Sequence, residues 1–256
     1  MSQLSRSIDG SVALVTGAAS GMGRATARLF ADEGARLALL DINASALQAV
    51  ARDIEASGAQ VLSLTVDLSA REAIEQALAE VLAHYGDIDI LVNNAGLVIP
   101  ASIDAENFAE SWDTSLAVMT TAQAWAIRAA LPGLRRASHP RVVNIASTEA
   151  LGATRYASAY TVAKHACVGL TRAMAVELGG EGITVNCVCP GPIRTAINAN
   201  VSDEDKQIFA RRRTALRRYG EPEEVAHAIL SLVLPASGFI TGTSLVVDGG
   251  LTIRNA

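Results

Sequence analysis

In SVALVTGAASGMGRATARLFADEGARLALLD, residues 11–41, two hydrophobic periods follow one another, and their order decides the fold. SVALVTG (11–17) is a short unbroken apolar run, the pattern of a strand buried on both faces. GRATARLFADEGA (23–35) spaces its apolar residues at the helical period and ends at Gly34. RLALLD (36–41) is a second apolar run. Strand, helix and strand in so short a span imply a crossover connection, and therefore parallel strands.

The alternation continues along the chain. ASALQAVARDIEASG (44–58) reads as a helix, QVLSLTVD (60–67) as a strand, 70–85 as a helix and DILVNNAG (89–96) as a strand. A long helix over 108–131, a strand at RVVNIAS (141–147), a helix over 158–179 and a strand at ITVNCVCPG (183–191) follow. The remainder reads as a helical insertion near 202–215, a helix over 221–234 and a last strand, SLVVDGG (244–250). This pattern predicts an α/β fold, a doubly wound (Rossmann-type) parallel sheet with helices on both faces. No repeat or low-complexity linker divides it, so residues 1–256 are expected to form a single domain.

Composition agrees with that expectation. Half of the 256 residues are hydrophobic, 18% are charged and only 4% are aromatic, so Ala, Val, Leu and Ile must fill the core. A net charge of -5 argues against a nucleic-acid surface, and the basic cluster ARRRTALRR (210–218) needs a local explanation. The amino-terminal MSQLSRSIDGS lacks the apolar core of a signal peptide, and no apolar run reaches the ~18 residues of a membrane span, which predicts a cytoplasmic protein. Cys167, Cys187 and Cys189 are odd in number and contain no C-x-x-C pair, so neither disulfides nor a metal site is expected. They read as small buried hydrophobes.

In such sheets ligands bind beyond the carboxyl ends of the strands. The first such end is TGAASGMG, with Gly17, Gly21 and Gly23 framing Ser20 and Met22. Glycines there let the backbone approach a diphosphate seated on the following helix N-terminus. Asp41, followed by Ile42, ends the second strand, where a carboxylate can accept ribose hydroxyls and would repel a 2'-phosphate; NAD is therefore expected rather than NADP. Asp67, followed by Leu68, ends the third strand and either borders the adenine or caps the next helix.

Tyr160 and Lys164, in YTVAK, stand one helical turn apart and so on one face. Together TGAASGMG, NNAG (93–96), Ser147, YTVAK and PGPIRT (190–195) resemble the short-chain dehydrogenase/reductase family, over about residues 10 to 252. Ser147 lies thirteen positions before Tyr160 and Lys164 four after, as in that family. The resemblance implies that Tyr160 is the general acid/base. Lys164 would lower its pKa and hold the nicotinamide ribose, while Ser147 donates a hydrogen bond to the substrate oxygen. It further implies that Asn93, Asn94, Ala95 and Gly96 border the adenosine ribose. Pro190 and Gly191 would continue the cofactor site, with Ile193 and Thr195 at the nicotinamide carboxamide. A homotetramer built through the helices over 108–131 and 158–179 and the C-terminal segment is also implied.

One position departs from the family pattern. Seven residues after Trp112, where the family carries an asparagine that holds a relay water, this chain has Met119. A thioether is a poor substitute for an amide, so slower proton exchange is expected.

Substrate choice is expected from TEALGATRYAS (148–158) and from the insertion 196–216. Glu149 and Arg155 in the first are candidate substrate contacts, and Ile197, Val201, Ile208 and Phe209 in the second form a candidate apolar lid. Arg211, Arg212 and Arg213 point about 100° apart and read as a solvated face or a subunit contact, although one of them, Arg155 or Arg194 could bind an anionic substrate group. The expected activity is NAD-dependent oxidation of a small-molecule secondary alcohol: a sugar, polyol or cyclic alcohol. The alternatives are an NADPH-dependent ketone reductase such as a 3-oxoacyl reductase, or a non-catalytic NAD-binding protein.

Overall fold

The computed structural model describes residues 4–255. The sequence readings that touch residues 1–3 and 256, the amino-terminal stretch and the outer bounds of the domain, lie outside the described residues. Seven strands form one sheet: β1 (Val12–Thr16), β2 (Arg36–Asp41), β3 (Val61–Thr65), β4 (Ile90–Asn93), β5 (Arg141–Ile145), β6 (Thr184–Pro190) and β7 (Ser244–Val247). Their spatial order is β3-β2-β1-β4-β5-β6-β7, and every pairing is parallel. The chain winds outward from β1 to β3, then returns to lay β4 against the other edge of β1. The carboxyl ends of β1 and β4 are thus the switch point.

Side-chain alternation along the strands divides the core into two layers. Ala13, Val15, Leu37 and Leu39 face α1 (Gly21–Asp32), α2 (Ala44–Ala56) and α8 (Pro222–Val233), where Phe30, Leu47, Val50 and Ile229 meet them. Leu14, Ala38, Leu40 and Leu91 face the other way. They meet Ile74 and Leu78 of α3 (Arg71–Tyr85), Ala126 and Ile127 of α5 (Ala122–Leu134), and Leu178 of α6 (Ser158–Leu178). Alanine-rich helix faces let these layers pack closely without aromatic bulk. Among the described residues no helix is long and apolar enough to cross a membrane.

The expected long helix over 108–131 is broken. α4 (Phe108–Leu116) passes through a π-helical turn, Ala117–Thr121, into α5, which continues to Leu134. Within the turn the Thr120 hydroxyl donates to the Ala163 carbonyl of α6 at 3.3 Å, and Met119 is fully buried. Beyond it Trp125 receives the Arg71 guanidinium of α3 on its ring face at 4.0 Å. The insertion forms α7 (Asp203–Arg213), whose N-cap Ser202 accepts the Asp205 N–H at 3.1 Å.

Polar groups also cross the sheet. The Asn93 amide donates to Asn144 Oδ1 at 2.9 Å, Asn144 donates to the Thr171 hydroxyl at 3.0 Å, and Thr171 donates to the Cys167 carbonyl at 2.8 Å. This chain ties β4 to β5 and β5 to α6, and all of its side chains are buried. Truncating the middle member strands its neighbours without water. Asn144→Ala is therefore expected to lower unfolding free energy by about 2–4 kcal/mol, measured as a fall in the urea midpoint with an unchanged slope.

Candidate active site

A cavity of about 400 Å³ lies across the carboxyl ends of β1 to β6. Gly17, Ser20, Gly21, Met22, Asp41, Ile42, Asp67, Leu68, Asn94, Ala95, Gly96, Ser147, Tyr160, Lys164, Pro190, Gly191, Ile193 and Thr195 all line it. Residues remote in sequence are thus brought together. Gly23 and Asn93 stand behind the wall rather than on it. A Cβ on Gly23 would collide with the Gly17 carbonyl oxygen and the Asn94 amide, so its role is close packing of α1 against β1 and β4. Gly17 needs its freedom for a second reason, a φ of +65°. Asn93 is held by Asn144, which makes it part of the buried polar chain.

The β1–α1 turn is braced from two strands. The Asn94 amide donates to the carbonyls of Thr16 at 2.9 Å and Gly17 at 3.2 Å, while the Thr16 hydroxyl accepts the N–H groups of Asn94 and Ala95 at 3.0 and 3.1 Å. These bonds explain why β4 stops at Asn93. Asp41 accepts from Ala19 N–H at 3.0 Å and from Asn43 N–H at 2.9 Å, one on each oxygen, and keeps lone pairs toward the cavity. α1 begins at Gly21, two residues earlier than its apolar period suggests, and its N-cap Ser20 makes no side-chain capping bond. Its first N–H groups therefore remain available at the cavity.

Asp67 lies two residues beyond the end of β3 rather than within it, because its carboxylate closes a turn. It accepts Ser69 N–H at 2.8 Å and the Ser69 hydroxyl at 2.7 Å, and the N-cap of α3 is Ala70 instead.

At the other end, Ser147 follows β5 and is buried. Its oxygen accepts Glu149 N–H at 3.1 Å, which leaves the hydroxyl hydrogen free to donate. The Lys164 ammonium donates to the Ile145 carbonyl at 2.8 Å and sits 5.5 Å from the centre of the Tyr160 ring. Gly96 lies between Lys164 and Met119: a Cβ there would be 3.6 Å from both Nζ and Sδ. Behind Ser147, Cys167, Cys187 and Cys189 pack with Ala146, Ala150 and Val168. Burial pushes the Cys167 thiol up to about 11. A shared hydrogen bond pulls Cys187 down and pushes Cys189 up.

The two candidate substrate contacts do not reach the cavity wall. Glu149 turns into its own loop and accepts Thr154 N–H at 2.8 Å, the Thr154 hydroxyl at 2.6 Å and the Thr161 hydroxyl at 3.0 Å. Arg155 covers the ring of Tyr156 at 4.5 Å. Arg194 is engaged by Asp203 at 2.9 Å and Glu221 at 3.3 Å, and Arg211, Arg212 and Arg213 are exposed.

Sequence reasoning missed Leu97, Val118 and Asn198 on the wall. The last had a legible signal. Thr195 and Asn198 have the spacing of a capping box, and Asn198 both accepts Thr195 N–H at 3.3 Å and donates to the Ile193 carbonyl at 2.6 Å.

A family model described as enoyl-(acyl carrier protein) reductase matches residues 17–252. The chain belongs to the short-chain dehydrogenase/reductase family. It is 38% identical over 246 residues, 96% of this chain and 98% of the relative, to a (2S)-[(R)-hydroxy(phenyl)methyl]succinyl-CoA dehydrogenase subunit of Thauera aromatica. It is 37% identical over 244 residues, 95% of each chain, to meso-2,3-butanediol dehydrogenase of Serratia marcescens. Among solved structures, L-sorbose reductase of Gluconobacter frateurii, complexed with NADPH and L-sorbose, superposes with a TM-score of 0.91 at 30% identity, covering 97% of this chain and 99% of the other. The family consists of oxidoreductases that use a nicotinamide cofactor.

The Glu149 contacts carry a prediction. A glutamine can replace them by keeping its oxygen on the Thr154 N–H and the Thr161 hydroxyl and turning its NH2 to the Thr154 hydroxyl, which then accepts, whereas alanine cannot. Amide exchange at Thr154 is expected to be at least tenfold faster in Glu149→Ala than in the native chain, and near native in Glu149→Gln, as read by hydrogen exchange.

Proposed function

We propose that this chain is an NAD-dependent oxidoreductase that moves hydride between a secondary alcohol and the dinucleotide, with its sheet and lid acting as one catalytic domain. The observation that carries this reading is the convergence of Ser147, Tyr160 and Lys164 on a cleft whose opposite end holds Asp41. The uncapped start of α1 faces the same cleft beside Gly17 and Gly21, and its dipole and free N–H groups suit a diphosphate.

The charge of Asp41 favours ribose hydroxyls over a 2'-phosphate, which supports NAD. Arg36 does not offset it, because it begins β2 where Asp41 ends it, roughly 17 Å away along an extended strand. It is bonded there to the Gly10 carbonyl and stacked on Tyr85. The competing reading, an NADPH-dependent ketone reductase, draws support from the NADPH in the L-sorbose reductase complex.

A bound nicotinamide supplies the hydride acceptor or donor. The remaining chemistry belongs to the chain. Ser147 donates its free hydroxyl hydrogen to the substrate oxygen and fixes its position. Tyr160 takes the alcohol proton during oxidation and returns it during reduction. The Lys164 ammonium balances the charge that Tyr160 carries once it has lost its own proton. Met119 cannot hold a relay water through an amide, so a water there rests on backbone carbonyls and proton exchange with solvent is slowed.

We further propose a homotetramer. Val176 on α6, and Phe239 and Ile253 near the C-terminus, are almost fully exposed apolar side chains on the segments expected to assemble. Light scattering should report four copies.

Two variants test the chemistry. Tyr160→Phe is expected to lower kcat at least ~100-fold with cofactor affinity within about threefold of native, followed by NADH absorbance and fluorescence. The native chain should prefer NAD, and Asp41→Ser should shift the NAD/NADP ratio of kcat/KM toward NADP by about tenfold or more. A native preference for NADP would overturn the cofactor assignment.

A further inference from the structure

The catalytic end of the cleft offers a substrate one polar contact point and an otherwise apolar wall. Ser147 and Tyr160 both address the oxygen that reacts. Leu97, Val118, Ala196 and Ile197 are apolar members of the same cavity wall. Among the described residues, the charged members of the cavity wall are Asp41, Asp67 and Lys164. Asp41 ends β2, three strands from the β5 that leads to Ser147, roughly 14 Å at the usual strand spacing, and Asp67 follows β3, one strand farther. Lys164 is 3% exposed and bonded to the Ile145 carbonyl.

Of the polar groups singled out for reading a second hydroxyl or a carboxylate, Glu149, Arg194 and Asn198 have partners in nearby segments of the chain and Arg155 is stacked on its neighbour. Three hydrogen bonds from Thr154 and Thr161 occupy both oxygens of the Glu149 carboxylate. Arg155 lies on Tyr156 and Arg194 is shared by two acids. Both ends of the Asn198 amide serve its own turn. Meanwhile the segment after Ile197 leaves apolar surface outward: Val201, Ile208 and Phe209 are 40–43% exposed. On the loop after Ser147, Leu151 and Tyr156 are each 49% exposed.

We propose that the substrate is an apolar secondary alcohol or the matching ketone, with one oxygen at the reacting carbon and a hydrocarbon body, rather than a sugar, polyol or hydroxy acid. This rests on the oxidoreductase reading above and narrows it. Hydrophobic contact with the wall provides affinity. Each additional hydroxyl or carboxylate gives up water in this pocket without a charged partner to replace it, which lowers kcat/KM by about tenfold or more.

The test is a kinetic panel with NAD and with NADP over cyclohexanol, 1-phenylethanol, meso-2,3-butanediol, threitol and 3-hydroxybutyrate. The expected result is kcat/KM for the two monohydroxylic apolar alcohols at least tenfold above the diol and at least a hundredfold above threitol and the hydroxy acid. Equal or faster turnover of threitol or 3-hydroxybutyrate overturns the apolar assignment and leaves the oxidoreductase intact. Absence of turnover across the panel with both nucleotides sinks the oxidoreductase reading instead.

A binding measurement separates the two failures. In the Tyr160→Phe variant loaded with NADH, cyclohexanone should perturb cofactor fluorescence at a concentration at least tenfold below that of erythrulose. The reverse order overturns the apolar assignment whatever the turnover. Ile197→Asn should raise the threitol/cyclohexanol ratio of kcat/KM at least tenfold; an unchanged ratio removes Ile197 from substrate selection.

Discussion

The close approach of α1 to the first two central strands is the constraint on which the rest depends. Gly23 can sit beside the Gly17 carbonyl and the Asn94 amide only because it has no side chain. That contact fixes where the helix begins, and with it the direction of its free N–H groups. The same Asn94 ends β4 and opens the loop that carries Ala95 and Gly96 past Lys164. Two positions of the cavity wall thereby inherit their placement from a backbone packing rule at the Gly17 turn. The neighbouring strands need only supply apolar filling, and Ala, Val, Leu and Ile suffice.

Most of the architecture was legible because each strand and helix obeys its own period. The runs at 12–16, 36–41 and 184–190 are buried along nearly their whole length, so nothing but a covered parallel sheet could accommodate them. Features set by one residue acting through space were not legible. Nothing in AVMTT marks a π-helical turn, since its cause lies partly in a hydroxyl reaching the carbonyl of another helix. Asp67 looked like the end of a strand because periodicity does not register a side chain that folds back on its own turn.

The site divides in the same way. Residues whose function lies in spacing, such as Tyr160 and Lys164 or Gly17 and Gly21, line the cavity together. Charged residues in the loop after Ser147 do not. A carboxylate next to a cleft looks like a ligand contact in one dimension, and in three it is the anchor that holds Thr154 and Thr161 in register. Asn93 and Asn94, adjacent in sequence, serve opposite sides of the sheet end. One joins the buried polar chain through Asn144 and the other braces the glycine turn.

The π-helical turn between α4 and α5 carries one more residue than α geometry needs. Deleting any one of Ala117–Thr121 would restore regular α geometry and leave α5 facing nearly as it does, because five residues in the wider π turn cover about the same arc as four at the α period. Trp125 would keep its place against Arg71, and Ala126 and Ala130 theirs against the sheet. A single-residue deletion farther along α5 has no bulge to absorb it and would turn everything beyond it by about 100°. The irregularity is thus a place where the helix can shorten by one residue without rebuilding the packing on either side.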